Sequence, residues 1–231
     1  MNNLHKFVID IKFAFSQNRD DDNAQSMAKY MLNKFEFYGI KSPLRKELQR
    51  YFLKTENLPN IDEIPEIVTQ LWFLPQREFQ YLAIDLLRKY NNKTPEKMID
   101  LFEFILTNRS WWDSVDIISS RIIGDHFKRF PKQIVPYTER WINSNNIWLQ
   151  RSALLFQLNY KEQTDKEMLF AYILRLNHSS EFFINKAIGW VLRQYSKIDA
   201  EIVIDFVESN NLANLSKREA LKWMKNQGII A

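Results

Sequence analysis

Apolar residues recur every three or four positions along nearly the whole chain, the spacing that places side chains on one face of an α-helix. Prolines, glycines and polar runs separate the stripes; Gly39 is expected to end one helix, and Ser42-Pro43 to open the next. No segment shows the strict alternation of a β-strand, and no Gly/Ser-rich linker interrupts the pattern. The pattern predicts an all-α chain that forms one domain over residues 1–231. The stripes and breaks before residue 110 predict helices over 7–14, 24–35, 42–52, 60–74, 76–90 and 95–107.

Similar short patterns recur along the chain at intervals of about 35 residues or twice that. They lie at 77–87, 111–118, 148–155 and 183–192. Repeats of this length, each made of two helices, are typical of HEAT-like and armadillo-like arrays, which curve and bind their partners on the concave side. We therefore expect a curved solenoid of HEAT-like antiparallel helix pairs, in which Trp112, Arg151 and Trp190 come near one another on successive repeats.

The stretch 110–116 (SWWDSVD) places two tryptophans and two carboxylates in one short segment. Ser110 and Asp113 have the spacing of a capping box, which predicts that a helix begins here. Trp111 continues into an apolar stripe and is expected in the core.

Trp112 and Asp116 stand four residues apart, so their side chains meet on a neighbouring face of the same helix. An indole and a carboxylate beside a core stripe are an unusual pair. From the residues alone, Asp116 stays open between a structural partner and a functional carboxylate.

Two other residues differ from their helical neighbours. Arg151 lies on an otherwise apolar stripe, where a guanidinium needs a partner. It either forms a buried ion pair, conceivably with Asp116, or binds a phosphate through its planar fork.

Trp190 follows Gly189, which leaves room for another backbone, and has polar and basic neighbours. That setting suits either contact with nucleic acid or packing across an adjacent repeat.

The composition narrows the function classes. The chain has no cysteine, which excludes disulfides, thiolate metal sites and cysteine nucleophiles and fits a cytoplasmic location. No apolar run approaches the roughly 18 residues of a membrane span. The net charge of +4 and the pI of about 9.1 permit nucleic-acid binding without requiring it. The three histidines are widely scattered, and no nucleotide-binding or serine-hydrolase motif occurs, so we expect neither a metal nor a cofactor.

Several stretches together resemble the AlkD-type DNA alkylation-repair glycosylases, over nearly the whole chain and in order. They are YGIKSPLRK (38–46), LPQREFQ (74–80), SWWDSVD (110–116), NIWLQRSALLFQL (146–158), SSEFFINKAIGWVLR (179–193) and LSKREA (215–220). The resemblance implies a solenoid of HEAT-like repeats, in agreement with the repeat pattern. It also implies removal of cationic N3- and N7-alkylated purines, such as 3-methyladenine and 7-methylguanine, from double-stranded DNA. Such an enzyme hydrolyses the N-glycosidic bond without a cofactor and leaves an abasic site; we expect a monomer of bacterial type, associated with the nucleoid when it acts.

The resemblance also implies roles for single residues. By position, the family's catalytic aspartate falls on Asp116 and its active-site tryptophans fall on Trp112 and Trp190. The arginine that engages the DNA backbone falls on Arg151, and a tyrosine of the site falls on Tyr30. We expect DNA-binding roles for both, and also for Arg193, a basic neighbour of Trp190.

A second class of function is compatible with the residues alone. A non-catalytic helical-repeat module that binds nucleic acid or a protein partner would share the helical pattern and the basic balance. It predicts binding without release of any base.

Overall fold

A computed structural model describes residues 4–230 of the chain. Within this range the chain is helical and has no strand, apart from an isolated bridge between Glu36 and Gln76. The all-α class predicted from the sequence is therefore confirmed. The helices gather into two compact units, the first ending at Leu101 and the second beginning at Phe102. The single domain and the solenoid stay predictions.

The first unit is built from helices of moderate length, with longer connections before and after α3 than elsewhere. They are α1 (Lys6–Ser16), α2 (Asp21–Tyr30), α3 (Ser42–Leu48), α4 (Ile64–Phe73) and α5 (Arg77–Lys89). Short 3₁₀ turns at Ile61–Glu63 and Glu96–Met98 precede α4 and α6 (Ile99–Thr107), so the helical stretches expected over 60–74 and 95–107 begin with tighter turns.

The helix α2 ends earlier than the sequence predicted. It ends at Tyr30, although the apolar spacing continues to Phe35. Leu32 and Asn33 both have φ angles of 55°, and a left-handed backbone cannot continue a right-handed helix. The prediction of a helix over 24–35 was therefore wrong in its second half, and α3 also ends early, at Leu48.

Gly39 does not end α2, as the sequence had suggested, but forms part of the turn before α3. Its φ angle is 86°, and a Cβ there would lie 2.0 Å from the carbonyl oxygen of Asp20. The fully buried carboxylate of Glu78 on α5 fixes this turn, because it accepts hydrogen bonds from the backbone N–H groups of residues 38–40, at 2.9 to 3.2 Å. Burial raises the pKa of Glu78, and these backbone hydrogen bonds oppose the rise.

The helix α6 crosses the boundary between Leu101 and Phe102, and the second unit contains the remaining helices. They are α7 (Trp112–Ile117), α8 (Gly124–Arg129), α9 (Ile134–Ile142), α10 (Ile147–Leu155), α11 (Lys166–Leu176), α12 (Phe182–Tyr195), α13 (Ala200–Ser209) and α14 (Asn214–Asn226), with a π-helical turn (Ile118–Ile123) between α7 and α8.

In the second unit, α12 packs against both α10 and α14, and α10 packs against α7 and α9. The contact between α12 and α14 is close because α12 carries Gly189 at the crossing. A Cβ there would lie 2.4 Å from the Cβ of Glu219 and 2.9 Å from the carbonyl oxygen of Ser216, so the close approach expected at Gly189 is confirmed. Among the helices described, none combines the length and apolar composition needed to cross a bilayer.

Candidate active site

The helix α7 begins at Trp112, with Trp111 as its N-cap in an extended conformation. The predicted capping box at Ser110 and Asp113 is wrong. The hydroxyl of Ser110 donates a hydrogen bond back to the carbonyl of Leu106, in the last turn of α6, and the N-cap has no side-chain hydrogen bond. Ser110 thus completes the preceding helix and does not start the next one.

Trp111 is half-buried and does not reach the core that the sequence assigned to it. Its ring lies edge-on to those of Trp148 on α10 and Phe183 on α12, at centroid distances of 5.6 and 5.1 Å. Trp148 and Phe183 also contact each other at 5.1 Å. Such aromatic clusters contribute packing energy beyond area burial, and this one joins the start of α7 to α10 and α12.

Asp116 and Arg151 form a buried, bidentate ion pair. The Nε of Arg151 donates to Oδ1 of Asp116 at 2.7 Å, and Nη2 donates to Oδ2 at 2.9 Å. The Nη1 of Arg151 also donates to the backbone carbonyl of Phe183, which connects the pair to α12. The Arg151 side chain is only 5% exposed, whereas that of Asp116 is 17% exposed. Of the two interpretations that the sequence left open for Arg151, the ion pair with Asp116 is the one observed; its contact with DNA stays a prediction.

The environment of Asp116 shifts its acidity in two directions. Burial raises the pKa of the carboxyl group, the hydrogen bonds and charge of Arg151 oppose this rise, and the nearby charge of Asp113 adds to it. The net direction is upward. The carboxylate therefore takes up a proton at a higher pH than an exposed aspartate does, while Arg151 favours its ionised form.

The helical segment changes its hydrogen-bond spacing directly after Asp116. In the turn Ile118–Ile123 it becomes π-helical, with the N–H of Gly124 bonded five residues back to the carbonyl of Ser119. The hydroxyl of Ser120 donates to the carbonyl of Asp116 at 2.6 Å, and the carbonyl of Ser120 accepts from the side-chain amide of Asn159 at 2.8 Å. π-helical turns are rare and often found at functional sites. Ser120 thus anchors the backbone of Asp116 and is itself held by Asn159; the sequence analysis singled out neither residue.

A cleft of about 380 Å³ opens beside the ion pair, within the second unit. It is lined by residues of α7, α10, α12 and α14: Trp112, Asp116, Arg151, Phe182, Phe183, Lys186, Trp190, Arg193 and Glu219. The structure thus brings together all of the sequence-predicted site residues that belong to this unit. Tyr30 lies in the first unit, as the last residue of α2, with a side chain that is largely exposed. Its role at the site stays a prediction.

One face of α12 forms much of the cleft wall. Phe182, Lys186, Trp190 and Arg193 follow the spacing of one helical face, and Trp190 is half-buried between the two cations. The sequence analysis missed Phe182, Phe183 and Lys186 as lining residues, although their spacing from Trp190 could have identified them.

Glu219 on α14 is the fourth lining residue that the sequence did not single out. Its carboxylate binds Lys186 at 3.0 Å and Arg193 at 2.8 Å. The hydrogen bond from Lys186 is the main cause that lowers the pKa of Glu219, and Arg193 lowers it further, while burial opposes both. Glu219 lies in the stretch LSKREA (215–220), which carries part of the family resemblance but contains no residue with an expected role.

The carboxylates of the cleft do not form a metal site. Among residues 4–230, no group of three or more His, Asp or Glu side chains is arranged to hold a metal ion.

Comparisons with known proteins give a consistent picture. A family model described as a DNA alkylation repair enzyme matches residues 11–224. Among solved structures, a predicted DNA alkylation repair enzyme from Enterococcus faecalis is similar, with a TM-score of 0.83 and 30% sequence identity. The aligned region covers 89% of this chain and 96% of that one. No curated protein matches the chain in sequence.

Proposed function

Because the chain belongs to the DNA alkylation repair enzyme family, we propose that it is a monofunctional DNA glycosylase. It hydrolyses the N-glycosidic bond of cationic N3- and N7-alkylated purines in double-stranded DNA and leaves an abasic site. The family supports an enzyme of alkylation repair in general. The observation that carries the finer proposal is the meeting of Trp112, Asp116 and Trp190 on one cleft.

The chemistry needs a carboxylate more than it needs a general acid. An N3- or N7-alkylated purine already carries a positive charge, so it leaves without further protonation. As the bond breaks, positive charge moves onto the sugar, and a fixed negative charge beside it stabilises the transition state. Asp116 supplies that charge, and it can also accept a hydrogen bond from the attacking water.

Arg151 keeps Asp116 in one orientation. The bidentate pair uses one lone pair on each carboxylate oxygen, so further acceptor sites remain for water. The bonds to Asp116 and Phe183 use three of the five guanidinium donors of Arg151. The other donors are compatible with the expected contact between Arg151 and the DNA backbone.

Trp112 and Trp190 suit a cationic transition state. The π face of an indole attracts a positive charge, by about 0.5–2 kcal/mol depending on how dry the site is. Both rings are half-buried and line the same cleft as Asp116. In this proposal they contact the alkylated nucleotide, and Arg193 and Tyr30 bind the DNA.

The test is release of 7-methylguanine from methylated duplex DNA by the Asp116→Asn variant, measured in single turnover at a temperature where the variant is folded. Loss of the charge should slow release by about 10² or more, with DNA affinity largely retained. Asp113→Asn, one turn earlier on α7 and outside the cleft, is the matched control and should release the base at nearly the parent rate. Release of the base by Asp116→Asn at the parent rate would contradict the catalytic role proposed for Asp116.

One observation favours a different function. Asp116 and Arg151 satisfy each other within the protein, as the partners of a purely structural ion pair do. On that basis the protein would be a binding module that holds DNA or a protein partner without chemistry. The parent protein would then bind lesion-containing duplex and release no base, and a flat dependence of binding on salt would indicate a protein partner in place of DNA.

A further inference from the structure

Glu219 is a second carboxylate, besides Asp116, on the wall of a cleft that also presents the cations Lys186 and Arg193. Its side chain is 12% exposed, against 37% for Lys186 and 27% for Arg193, so the carboxylate lies behind the two cations it binds. A carboxylate in a cleft that receives a polyanion weakens the attraction for phosphate. Its position therefore calls for a role other than direct binding.

The backbone around Glu219 is held closely. Gly189 lies between Lys186 and Arg193 on α12, and the Cβ of Glu219 packs against it across the narrow contact between α12 and α14. The hydroxyl of Ser216, one turn earlier on α14, donates to a backbone carbonyl of α12 at 3.0 Å. The carboxylate is thus presented from a fixed point to two cations that are seven residues apart.

We propose that Glu219 is a positioning residue that holds Lys186 and Arg193 at set places on the cleft wall, where the two side chains receive the DNA backbone beside the lesion. This inference rests on the proposed function, and it gives Lys186 a phosphate-binding role. Long basic side chains lose much conformational freedom when they are immobilised by a ligand. A carboxylate that immobilises them beforehand reduces that loss and fixes where the phosphate, and with it the sugar, lies relative to Asp116.

The charges of this group lead to an unusual expectation. Lys186 and Arg193 carry two positive charges and Glu219 one negative charge, so the group keeps one positive charge to attract phosphate. The lowered pKa of Glu219 supports the ionised form of the carboxylate. Removal of its charge should strengthen general attraction to DNA while it loosens the placement of the two cations. Affinity and reaction rate should therefore change in opposite directions.

The experiment uses the isosteric variant Glu219→Gln in the full chain. Two quantities are measured: the single-turnover rate of base release from methylated duplex at saturating protein, and the affinity for undamaged duplex as a function of salt. We expect release to slow by about tenfold, and affinity to rise several-fold with a steeper salt dependence. Unchanged release, or a joint loss of rate, affinity and melting temperature, would overturn the positioning role.

Glu139→Gln is the matched control. It removes one carboxylate from a surface pair with Arg175 in the same unit, outside the cleft, and raises the net charge by the same amount. It should leave the release rate unchanged. If it reproduces the effects of Glu219→Gln, net charge accounts for them and the proposal fails.

Lys186→Ala tests the phosphate contact through binding alone. Loss of one phosphate contact should reduce the slope of log affinity against log salt by about 1. An unchanged slope contradicts the contact whether or not the protein is an enzyme. Absence of base release by the unchanged protein contradicts the proposed function, whereas normal release by both the parent and Glu219→Gln contradicts only the positioning role.

Discussion

Glu78 in the first unit and Asp116 in the second are both buried helical carboxylates, yet their partners differ. Glu78 is fully enclosed and accepts hydrogen bonds from the backbone N–H groups of residues 38–40. Asp116 has one arginine as its partner and keeps an edge on an open cleft. Burial raises the pKa of both groups. The direction of the pKa shift therefore does not separate them.

The difference lies in what remains available after folding. The backbone donors around Glu78 close a turn, so the carboxylate shapes the chain and meets no solvent. Asp116 is held from one side by a side chain, and its other side can accept water or face a substrate. A buried carboxylate with a side-chain partner and an open edge is a better candidate for chemistry than one enclosed by backbone groups.

The largest expected effect follows from separating Asp116 and Arg151. Arg151→Met leaves the carboxylate buried without its partner, which should cost about 3–5 kcal/mol of unfolding free energy. The double variant Asp116→Asn/Arg151→Met should lose less than the sum of the two single variants, because neither charge is then left alone. Urea denaturation of the four proteins measures this coupling. Strictly additive losses would show that the pair is not coupled.

A smaller effect is expected at Glu78. Glu78→Gln keeps the shape but replaces one acceptor oxygen with an N–H donor that faces other donors, and it should cost about 1–3 kcal/mol. Base release by the folded variant should stay at the parent rate. Thermal melting and single-turnover release, measured on one preparation, check both parts. If Glu78→Gln were as stable as the parent but released the base more slowly, Glu78 would also act in the reaction, and the contrast between the two carboxylates would be wrong.

The smallest effect concerns pH. A protonated Asp116 cannot stabilise a cation, so release should fall as the pH drops through the pKa of Asp116. Since that pKa is raised, the midpoint should lie above the ordinary aspartate value of about 3.9. Asp113→Asn removes the neighbouring charge that adds to the rise and should move the midpoint slightly lower. Rates are corrected for spontaneous base loss in acid, and an equal midpoint in both proteins would contradict the influence of Asp113.

Much of the fold could be predicted because helical spacing reports burial directly. Local backbone conformation could not be predicted in the same way, as α2 shows. Leu32 and Asn33 end that helix because their φ angles are positive, which the apolar spacing does not encode. The capping box failed for a related reason, since the hydroxyl of Ser110 bonds the preceding helix.

The site was predictable in part. Trp112 and Asp116 share a face because they are four residues apart, and Arg151 was out of place on an apolar stripe. Glu219 carried no such signal, because in the sequence it looks like any charged residue on a solvated helix. Only the packing of α14 against Gly189 brings it behind Lys186 and Arg193.

The π-helical turn Ile118–Ile123 has a consequence for the phase of the whole segment from α7 to α8. Each α-helical residue advances the direction of its side chain by about 100°, so the residue added by a π-helical turn rotates everything after it by about that angle. The buried positions are consistent with this shift: Ile122 and Ile123, four and five residues after Ile118, are both buried, and Phe127 follows Ile123 at the ordinary spacing of four. Because of this shift, the segment can aim Asp116 at the cleft and still bury its later residues. A deletion of one residue in the turn would restore a regular helix. Either the residues after the turn would then leave the core, or Asp116 would point away from the cleft.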